Sequence, residues 1–254
     1  MHKPKKKFGQ HFLNDNDILD KIVSHAQLQE NDTVWEIGPG LGSLTDALLK
    51  HNIDLTIFEI DNDLIPILTK KYANKCKIVH CDILKIEPEN YATNRIKIVT
   101  NLPFQISSPF LYKVAENYSL FDKIIVMLQK EVAKRVSAKP GSKDYGVLSI
   151  KSQFYFDVEY LFEVSPDKFN PPPDVYSAVI KLSPRKNIPN IENITMFWHM
   201  VESAFKMKRK TLKNNFLASN ICINSDNNMN FDFNRRAETI SEEEFIQLFN
   251  VFEF

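Results

Sequence analysis

The 254-residue chain predicts an α/β protein, a doubly wound and mostly parallel sheet followed by a small helical domain. Three observations carry this reading. Short β-rich runs alternate with amphipathic stretches through the first half of the chain, and helices interposed between strands at that spacing imply parallel pairing with right-handed crossovers. A cluster of glycines separates the first strand from the helix after it. Near residue 157 the alternation stops, giving way to two strand-like runs and then to helical spacing alone.

Each element follows from its residues. Ile18, Leu19, Ile22 and Val23 form one stripe behind an Asn/Asp start, so residues 14–26 form an amphipathic helix. A strand at 33–37 leads into the glycine turn and a helix over 43–50. A β-rich run spans 54–60, and residues 63–72 read as helical despite Pro66, which falls in the first turn, where it is tolerated. Residues 77–80, 95–100 and 123–128 are strands, with a helix over 108–117. The runs at 157–164 and 175–182, joined by a loop with Pro166 and Pro171 to Pro173, predict an antiparallel pair closing the sheet. Residues 184–189 read as a linker. Beyond it Phe197, Met200, Val201, Ala204 and Phe205 recur at helical spacing, and a helix over 243–252 ends the chain after an asparagine-rich loop at 224–230. Two domains are therefore expected: residues 1–185, with 1–10 as a flexible basic tail, and residues 186–254.

Composition narrows the classes. Hydrophobic residues make up 43% and charged residues 25%, a globular balance that excludes disorder, collagen and coiled coil as the dominant state. The longest apolar runs fall far short of a membrane span, and the lysine-rich start is followed by no signal-peptide core; the expected location is the cytoplasm. Cys76, Cys81 and Cys222 contain no C-x-x-C and are read as reduced packing residues, with no metal site. Net charge is zero, yet Lys3, Lys5, Lys6 and Lys7 cluster at the start, and Lys206, Lys208, Arg209, Lys210 and Lys213 form a second basic block.

Only 6 glycines occur, and Gly38, Gly40 and Gly42 fall within five residues at the end of the first strand. An open α/β sheet binds nucleotides at that position. The spacing is G-x-G-x-G, whereas the dinucleotide fingerprint needs a third glycine where this chain has Ser43. Glu59 ends the second strand, placed to accept both hydroxyls of a ribose, and Asp82 follows the third strand, where its carboxylate or neighbouring backbone can read an adenine amine. Together these features fit S-adenosylmethionine; a nicotinamide cofactor stays open at this point.

Asn101-Leu102-Pro103-Phe104 follows the fourth strand at the same sheet edge. An exocyclic adenine amine is a poor nucleophile because its lone pair is delocalised into the ring. The Asn101 side-chain carbonyl and the Leu102 backbone carbonyl can accept the two amine protons, turning the lone pair toward an electrophilic methyl. Pro103 fixes the backbone, and Phe104 offers a flat face to an extruded base.

In these residues the chain resembles the ribosomal RNA adenine N6,N6-dimethyltransferases that modify two adjacent adenosines near the 3′ end of small-subunit rRNA. The likeness runs through nearly the whole length: Phe8-Gly9-Gln10-His11-Phe12-Leu13, residues 36–45, Glu59-Ile60-Asp61, Asp82, residues 101–107, Pro140-Gly141-Ser142-Lys143 with Tyr145-Gly146, residues 169–173 with Ser177-Ala178-Val179, Arg209-Lys210-Thr211-Leu212, and Arg236-Ala237-Glu238. The resemblance implies a Rossmann-like class I S-adenosylmethionine-dependent methyltransferase sheet. It implies His11 and Leu13 at the cofactor entrance, Gly38, Glu59, Asp82 and Asn101 on the cofactor, and the residues from Asn101 to Phe104 on the target adenine. It assigns Lys208, Arg209 and Lys210 to RNA, and implies a monomer acting on a pre-ribosomal particle with a role in small-subunit biogenesis. The chain departs from the family's N-L-P-Y-N-I-S at Phe104 and Gln105, from a frequent Asn at His11, and from a usual Asp at Tyr176. Large-subunit rRNA methyltransferases and mitochondrial transcription factors share the tetrapeptide, but the triple proline and the Pro140 segment favour the small-subunit enzymes. A noncatalytic ribosome-assembly factor is the alternative from another class.

Overall fold

The computed structural model describes residue 5 and residues 10–91, 94–221 and 231–251. Of the sequence readings above, the loop at 224–230, Cys222, Phe8, Gly9, Phe252 and the lysines at 3, 6 and 7 lie outside these residues. In chain order the elements begin with a two-residue strand β1 (Phe12–Leu13), α1 (Asn16–Ala26), β2 (Thr33–Ile37), α2 (Ser43–Leu48), β3 (Asp54–Glu59), α3 (Ile65–Tyr72) and β4 (Lys77–His80). They continue with β5 (Ile96–Asn101), α4 (Ser107–Glu116), β6 (Phe121–Gln129), α5 (Lys130–Ser137), α6 (Val147–Tyr155), β7 (Phe156–Val164), β8 (Phe169–Asn170) and β9 (Ser177–Pro184). Helices α7 (Ile194–Ala204), α8 (Leu212–Leu217) and α9 (Glu242–Val251) follow.

Seven strands form one sheet in the order β4-β3-β2-β5-β6-β9-β7. The pairs from β4 to β6 are parallel, whereas β9 pairs antiparallel with both β6 and β7. The predicted antiparallel pair is thus present, with β9 inserted against the parallel set and β7 outermost. Strand β9 starts at Ser177 and not at Val175, because Val175 and Tyr176 face solvent and only from Ser177 onward is the chain buried. The inner strands are apolar without alternation, Leu55 to Phe58 apart from Thr56 and Ile96 to Val99 apart from Lys97, as expected where both faces of a parallel sheet are covered. Helix α1 is capped by Asp15, whose side chain accepts from the Ile18 N–H, and its stripe of Leu19, Ile22 and Val23 is buried.

Two compact units result, residues 1–134 with 155–185 and residues 135–154 with 186–254. Residues 135–154, counted with the first domain in the sequence reading, therefore belong with the second unit. The reason is contact and not chain order: Phe154 packs on Phe197 with ring centroids 5.7 Å apart, and the Gln153 amide donates to the Val136 and Ala138 carbonyls. The second unit has its own core, built from Leu148, Ile150, Phe154, Phe197, Val201, Phe216 and Phe245. No helix among the described residues is long and apolar enough to cross a membrane.

Candidate active site

After β2 the chain passes to β3 and β4 on one side and returns through β5 on the other. That reversal leaves a crevice at the carboxyl ends of β2 and β5, the ligand position of open α/β sheets. The glycine turn sits there. Gly38, Gly40 and Gly42 have φ of 67°, 59° and 88°, a region L side chains rarely adopt. Space is as restrictive as torsion: a Cβ on Gly38 would lie 3.0 Å from Pro103 Cγ, and one on Gly40 would lie 2.7 Å from the Phe12 ring. The turn is anchored by the Gly38 N–H donating to the Phe58 carbonyl at 2.8 Å. Beside it, the buried Thr100 hydroxyl donates to the Ile37 carbonyl at 2.6 Å, binding the end of β5 to the end of β2. Asn101 is thereby set next to the glycine turn.

The crevice is a single pocket lined by Gln10 to Leu13, Gly38 to Leu41, Glu59, Ile60, Asp82, Ile83 and Asn101 to Ile106, among others. It gathers His11, Leu13, Gly38, Gly40, Glu59, Asp82, Asn101, Leu102, Pro103 and Phe104. Glu59 is buried at the end of β3; one carboxylate oxygen accepts from the Ile60 and Asp61 N–H groups at 2.9 and 2.8 Å. Burial raises its pKa, and the backbone donors of Asp61, Ile60 and Gly40 oppose the rise. Glu36, deeper in the pocket wall, accepts from the Thr45 hydroxyl at 2.6 Å, and burial pushes its carboxyl up to about 8. Asp82 spends one oxygen capping the short turn after β4, accepting from the Leu84 N–H at 3.0 Å. Two large apolar side chains on the rim, Leu41 and Ile60, are 38% and 44% exposed; such surface in a pocket favours a flat apolar ligand.

The reaction turn is held from several sides. Leu102 is buried and its N–H donates to the Met127 carbonyl at 3.2 Å; the Ile106 N–H donates to the Pro103 carbonyl and the Ser107 hydroxyl to the Phe104 carbonyl. Among the described residues the Asn101 side-chain amide and the Leu102 carbonyl make no hydrogen bond, so both acceptors remain available to a ligand. Phe104 is half-buried and stacks on His11, centroids 5.7 Å apart with planes inclined 27°. The His11 ring is fixed by Nδ1, 2.8 Å from the Pro171 carbonyl. The triple-proline segment reaches the site this way, after β8 has paired antiparallel with β1.

Sequence reasoning missed several participants. Phe12 fills the space over Gly40, and Tyr72 donates to the Gly42 carbonyl at 2.9 Å. Lys5, read as part of a flexible basic tail, is ion-paired with Asp61 at 2.6 Å and with Asp63 at 2.6 Å. The apolar side chain after each carboxylate, Ile60 and Ile83, lines the pocket, a signal that the positions of Glu59 and Asp82 already offered.

Lys208, Arg209 and Lys210 lie in the second unit, on an exposed turn between α7 and α8. A buried residue shapes that turn: Asn215 accepts from the Met207 N–H at 2.9 Å and donates to the Met207 and Lys210 carbonyls at 3.3 and 3.5 Å. Lys208 donates to the Lys143 carbonyl, and the Gly141 N–H donates to the Glu238 carbonyl at 2.7 Å. The Pro140 segment, the basic turn and Arg236-Ala237-Glu238, far apart in sequence, are thus joined.

Comparison with known proteins matches this arrangement. A family model described as Ribosomal RNA adenine dimethylase matches residues 1–253. The chain is 44% identical over 214 residues to a Ribosomal RNA small subunit methyltransferase A of Coxiella burnetii, covering 83% of each chain. It is 40% identical over 254 residues to the protein of the same name in Syntrophotalea carbinolica, covering 97% of this chain and 96% of the relative. Among solved structures, a dimethyladenosine transferase from Plasmodium falciparum has a TM-score of 0.75 and 27% identity, covering 94% of this chain and 96% of that one. The 23S rRNA methyltransferase ErmE, with a TM-score of 0.73 and 23% identity over 94% and 98% of the two chains, shares the fold.

Proposed function

The chain belongs to the ribosomal RNA adenine dimethylase family of S-adenosylmethionine-dependent methyltransferases, and from that premise we propose that it dimethylates N6 of two adjacent adenosines near the 3′ end of small-subunit rRNA. One observation carries the reading: two acceptors with no hydrogen bond among the described residues, the Asn101 amide oxygen and the Leu102 carbonyl, stand beside a glycine cradle and a buried carboxylate in one pocket. The small-subunit assignment draws on the names of relatives 40–44% identical to this chain.

The residues present fit the methyl donor. Its methionine portion would lie against bare backbone at the glycine turn, which packs this closely on Pro103 and Phe12 only because Gly38 and Gly40 lack a Cβ. Glu59, with one oxygen already held by backbone donors, presents its carboxylate to the ribose hydroxyls. Ile60 and Ile83 supply apolar walls for the adenine ring, and Asp82 stands at its edge. His11 and Leu13 close the entrance. When bound, S-adenosylmethionine supplies an electrophilic methyl on a positively charged sulfur, a leaving group that needs no acid.

The protein's task is then to sharpen the nucleophile. Asn101 and Leu102 accept the two N6–H groups of the unmodified adenine, and one of them the single N6–H left after the first transfer, drawing the nitrogen toward tetrahedral geometry with its lone pair free; each new N–methyl bond replaces a sulfur–methyl bond and releases one N6 proton to solvent. Pro103 and the Ser107 to Phe104 hydrogen bond hold those acceptors still, so that catalysis rests on positioning and preorganised dipoles. Phe104, backed by His11, offers one open face to the extruded base; stacking of this kind contributes about 1–3 kcal/mol per base. In the second unit, the exposed turn of Lys208, Arg209 and Lys210 contacts RNA phosphates. We assign catalysis to the unit holding the seven-stranded sheet and RNA contact to the other, and place the enzyme in the cytoplasm, acting as a monomer on a pre-ribosomal particle.

The test is transfer of label from S-adenosylmethionine to purified unmodified small subunits, with the modified nucleotides mapped. Dimethyladenosine at two adjacent positions near the 3′ end is expected. Label in large-subunit RNA, or particle binding without transfer, would refute the assignment.

A further inference from the structure

Asp61, the residue after the pocket-lining Ile60, is a buried ionisable group that the reaction does not use. Its carboxylate, 1% exposed, accepts from Lys5 Nζ at 2.6 Å, Gln10 Nε2 at 2.9 Å and the Asp63 N–H at 3.1 Å. Gln10 bridges, its Oε1 accepting from the Lys5 backbone N–H at 2.8 Å while its amide donates to Asp61. The main chain of Asp61 faces the other way, its N–H donating to Glu59 at 2.8 Å. One residue therefore has its side chain in the N-terminal segment and its amide in the carboxylate that meets the ribose.

The segment it grips is the roof of the pocket. Gln10 adjoins His11, which stacks on Phe104, and Phe12, whose ring fills the space above Gly40. Downstream, Leu13 is fixed by pairing with Phe169 in β8. Upstream, Lys5 is tied to Asp61 and Asp63 and Gln10 to Asp61.

We propose that Asp61 is a positioning residue for the methyl donor, holding Lys5 and Gln10 so that Gln10 to Leu13 stay over the cofactor while Glu59 is held toward its ribose. The inference rests on S-adenosylmethionine occupying this pocket. A buried carboxylate that loses its charge to an amide turns one acceptor into a donor facing the Gln10 and Lys5 donors, and opening the roof exposes the cofactor to water without touching Asn101 or Leu102.

The experiment uses the full chain and three variants, Lys5→Met, Lys5→Arg and Asp61→Asn, with S-adenosylmethionine titrated calorimetrically and methyl transfer measured on unmodified small subunits. Lys5→Met, which leaves the core untouched, should raise the cofactor Kd and KM about 3–10-fold with kcat within about twofold, and Asp61→Asn should raise Kd about 10–50-fold, since removing one member of a shielded pair leaves the other uncompensated. Lys5→Arg should restore wild-type affinity. Trypsin cleavage after Lys5 should be slowed by the cofactor in the wild type and indifferent to it in Asp61→Asn. Unchanged cofactor affinity in both Lys5→Met and Asp61→Asn, or a loss confined to kcat, would overturn the proposal while leaving the methyltransferase reading intact. A wild-type chain that binds no S-adenosylmethionine would overturn both.

Discussion

Replacing Gly38 with alanine separates the two demands the site makes on its glycine turn. Gly38 has φ +67°, and an added Cβ would lie 3.0 Å from Pro103 Cγ and 3.1 Å from Cδ. Placing an L residue in that left-handed region costs roughly 1–2 kcal/mol, enough to lower Tm by about 2–8 °C in a chain of this size. The contact adds a second effect. Pro103 is a rigid ring on the reaction turn, so relief requires a shift of a few tenths of an ångström that carries the Leu102 carbonyl and Asn101 with it. Misplacing reacting groups by 1 Å costs about 10²-fold in rate, so a shift of this size should cost about tenfold in kcat. Gly141→Ala is the control, because Gly141 also has a positive φ, +86°, but nothing lies within 4 Å of its added Cβ. Both variants should melt earlier by comparable amounts, while only Gly38→Ala loses turnover in single-turnover transfer at saturating cofactor. Equal loss of activity in the two variants, or full activity in Gly38→Ala despite the lowered Tm, would refute the link between the glycine turn and the acceptors.

Asn101→Ala should reduce methyl transfer by at least about 10²-fold with Tm almost unchanged, since the side chain makes no hydrogen bond among the described residues; quench-flow transfer and thermal melting check the two halves. Replacing Lys208, Arg209 and Lys210 together by glutamine should flatten the salt dependence of RNA binding by about 2 in the log–log slope, at about 0.7 per phosphate on single strands, leaving cofactor affinity as it was. Glu36 gives a pH signature. The carboxyl titrates near 4.5 in the unfolded chain and at about 8 in the folded one because of burial, so between those values the native state holds the extra proton and stability falls as pH rises. Glu36→Gln keeps the Thr45 hydrogen bond and removes the titration; its Tm relative to wild type should climb steadily from pH 5 to pH 8, and a constant difference would count against a protonated Glu36.

What the sequence made legible is what local pattern encodes. The glycine turn, Glu59 and Asp82 at strand ends, and Asn101 to Phe104 at the end of β5 stand where spacing alone placed them, because the carboxyl ends of the parallel strands all reach the same edge. The roof of the pocket was not legible in that way. Strand β1 is only Phe12 and Leu13, and its partners, Asn170 and Phe169, lie more than 150 residues away, so no window of local periodicity contains both. Helix α5 was readable and missed: Val132, Ala133 and Val136 recur at helical spacing within a charged stretch whose polarity masks the stripe. The placement of residues 135–154 with the second unit depends on Phe154 meeting Phe197, a tertiary contact that chain order disguises.

The departures at His11 and Phe104 make sense as a pair. A phenylalanine at position 104 has no hydroxyl through which neighbours could fix its plane, and an aromatic ring on a turn can otherwise tilt. His11 supplies the missing constraint: its Nδ1 is tied to the Pro171 carbonyl, and its ring lies against Phe104 at 5.7 Å, nearly parallel. The orientation of the stacking face is thereby set by the triple-proline segment, itself held by β8 on β1. An asparagine at position 11 keeps a polar contact but has no ring to lay on Phe104. Changing either residue alone should therefore weaken base positioning more than the pair of changes that restores a tyrosine hydroxyl beside an asparagine amide, and a double-mutant cycle on transfer rate with additive losses would show that the two side chains act independently.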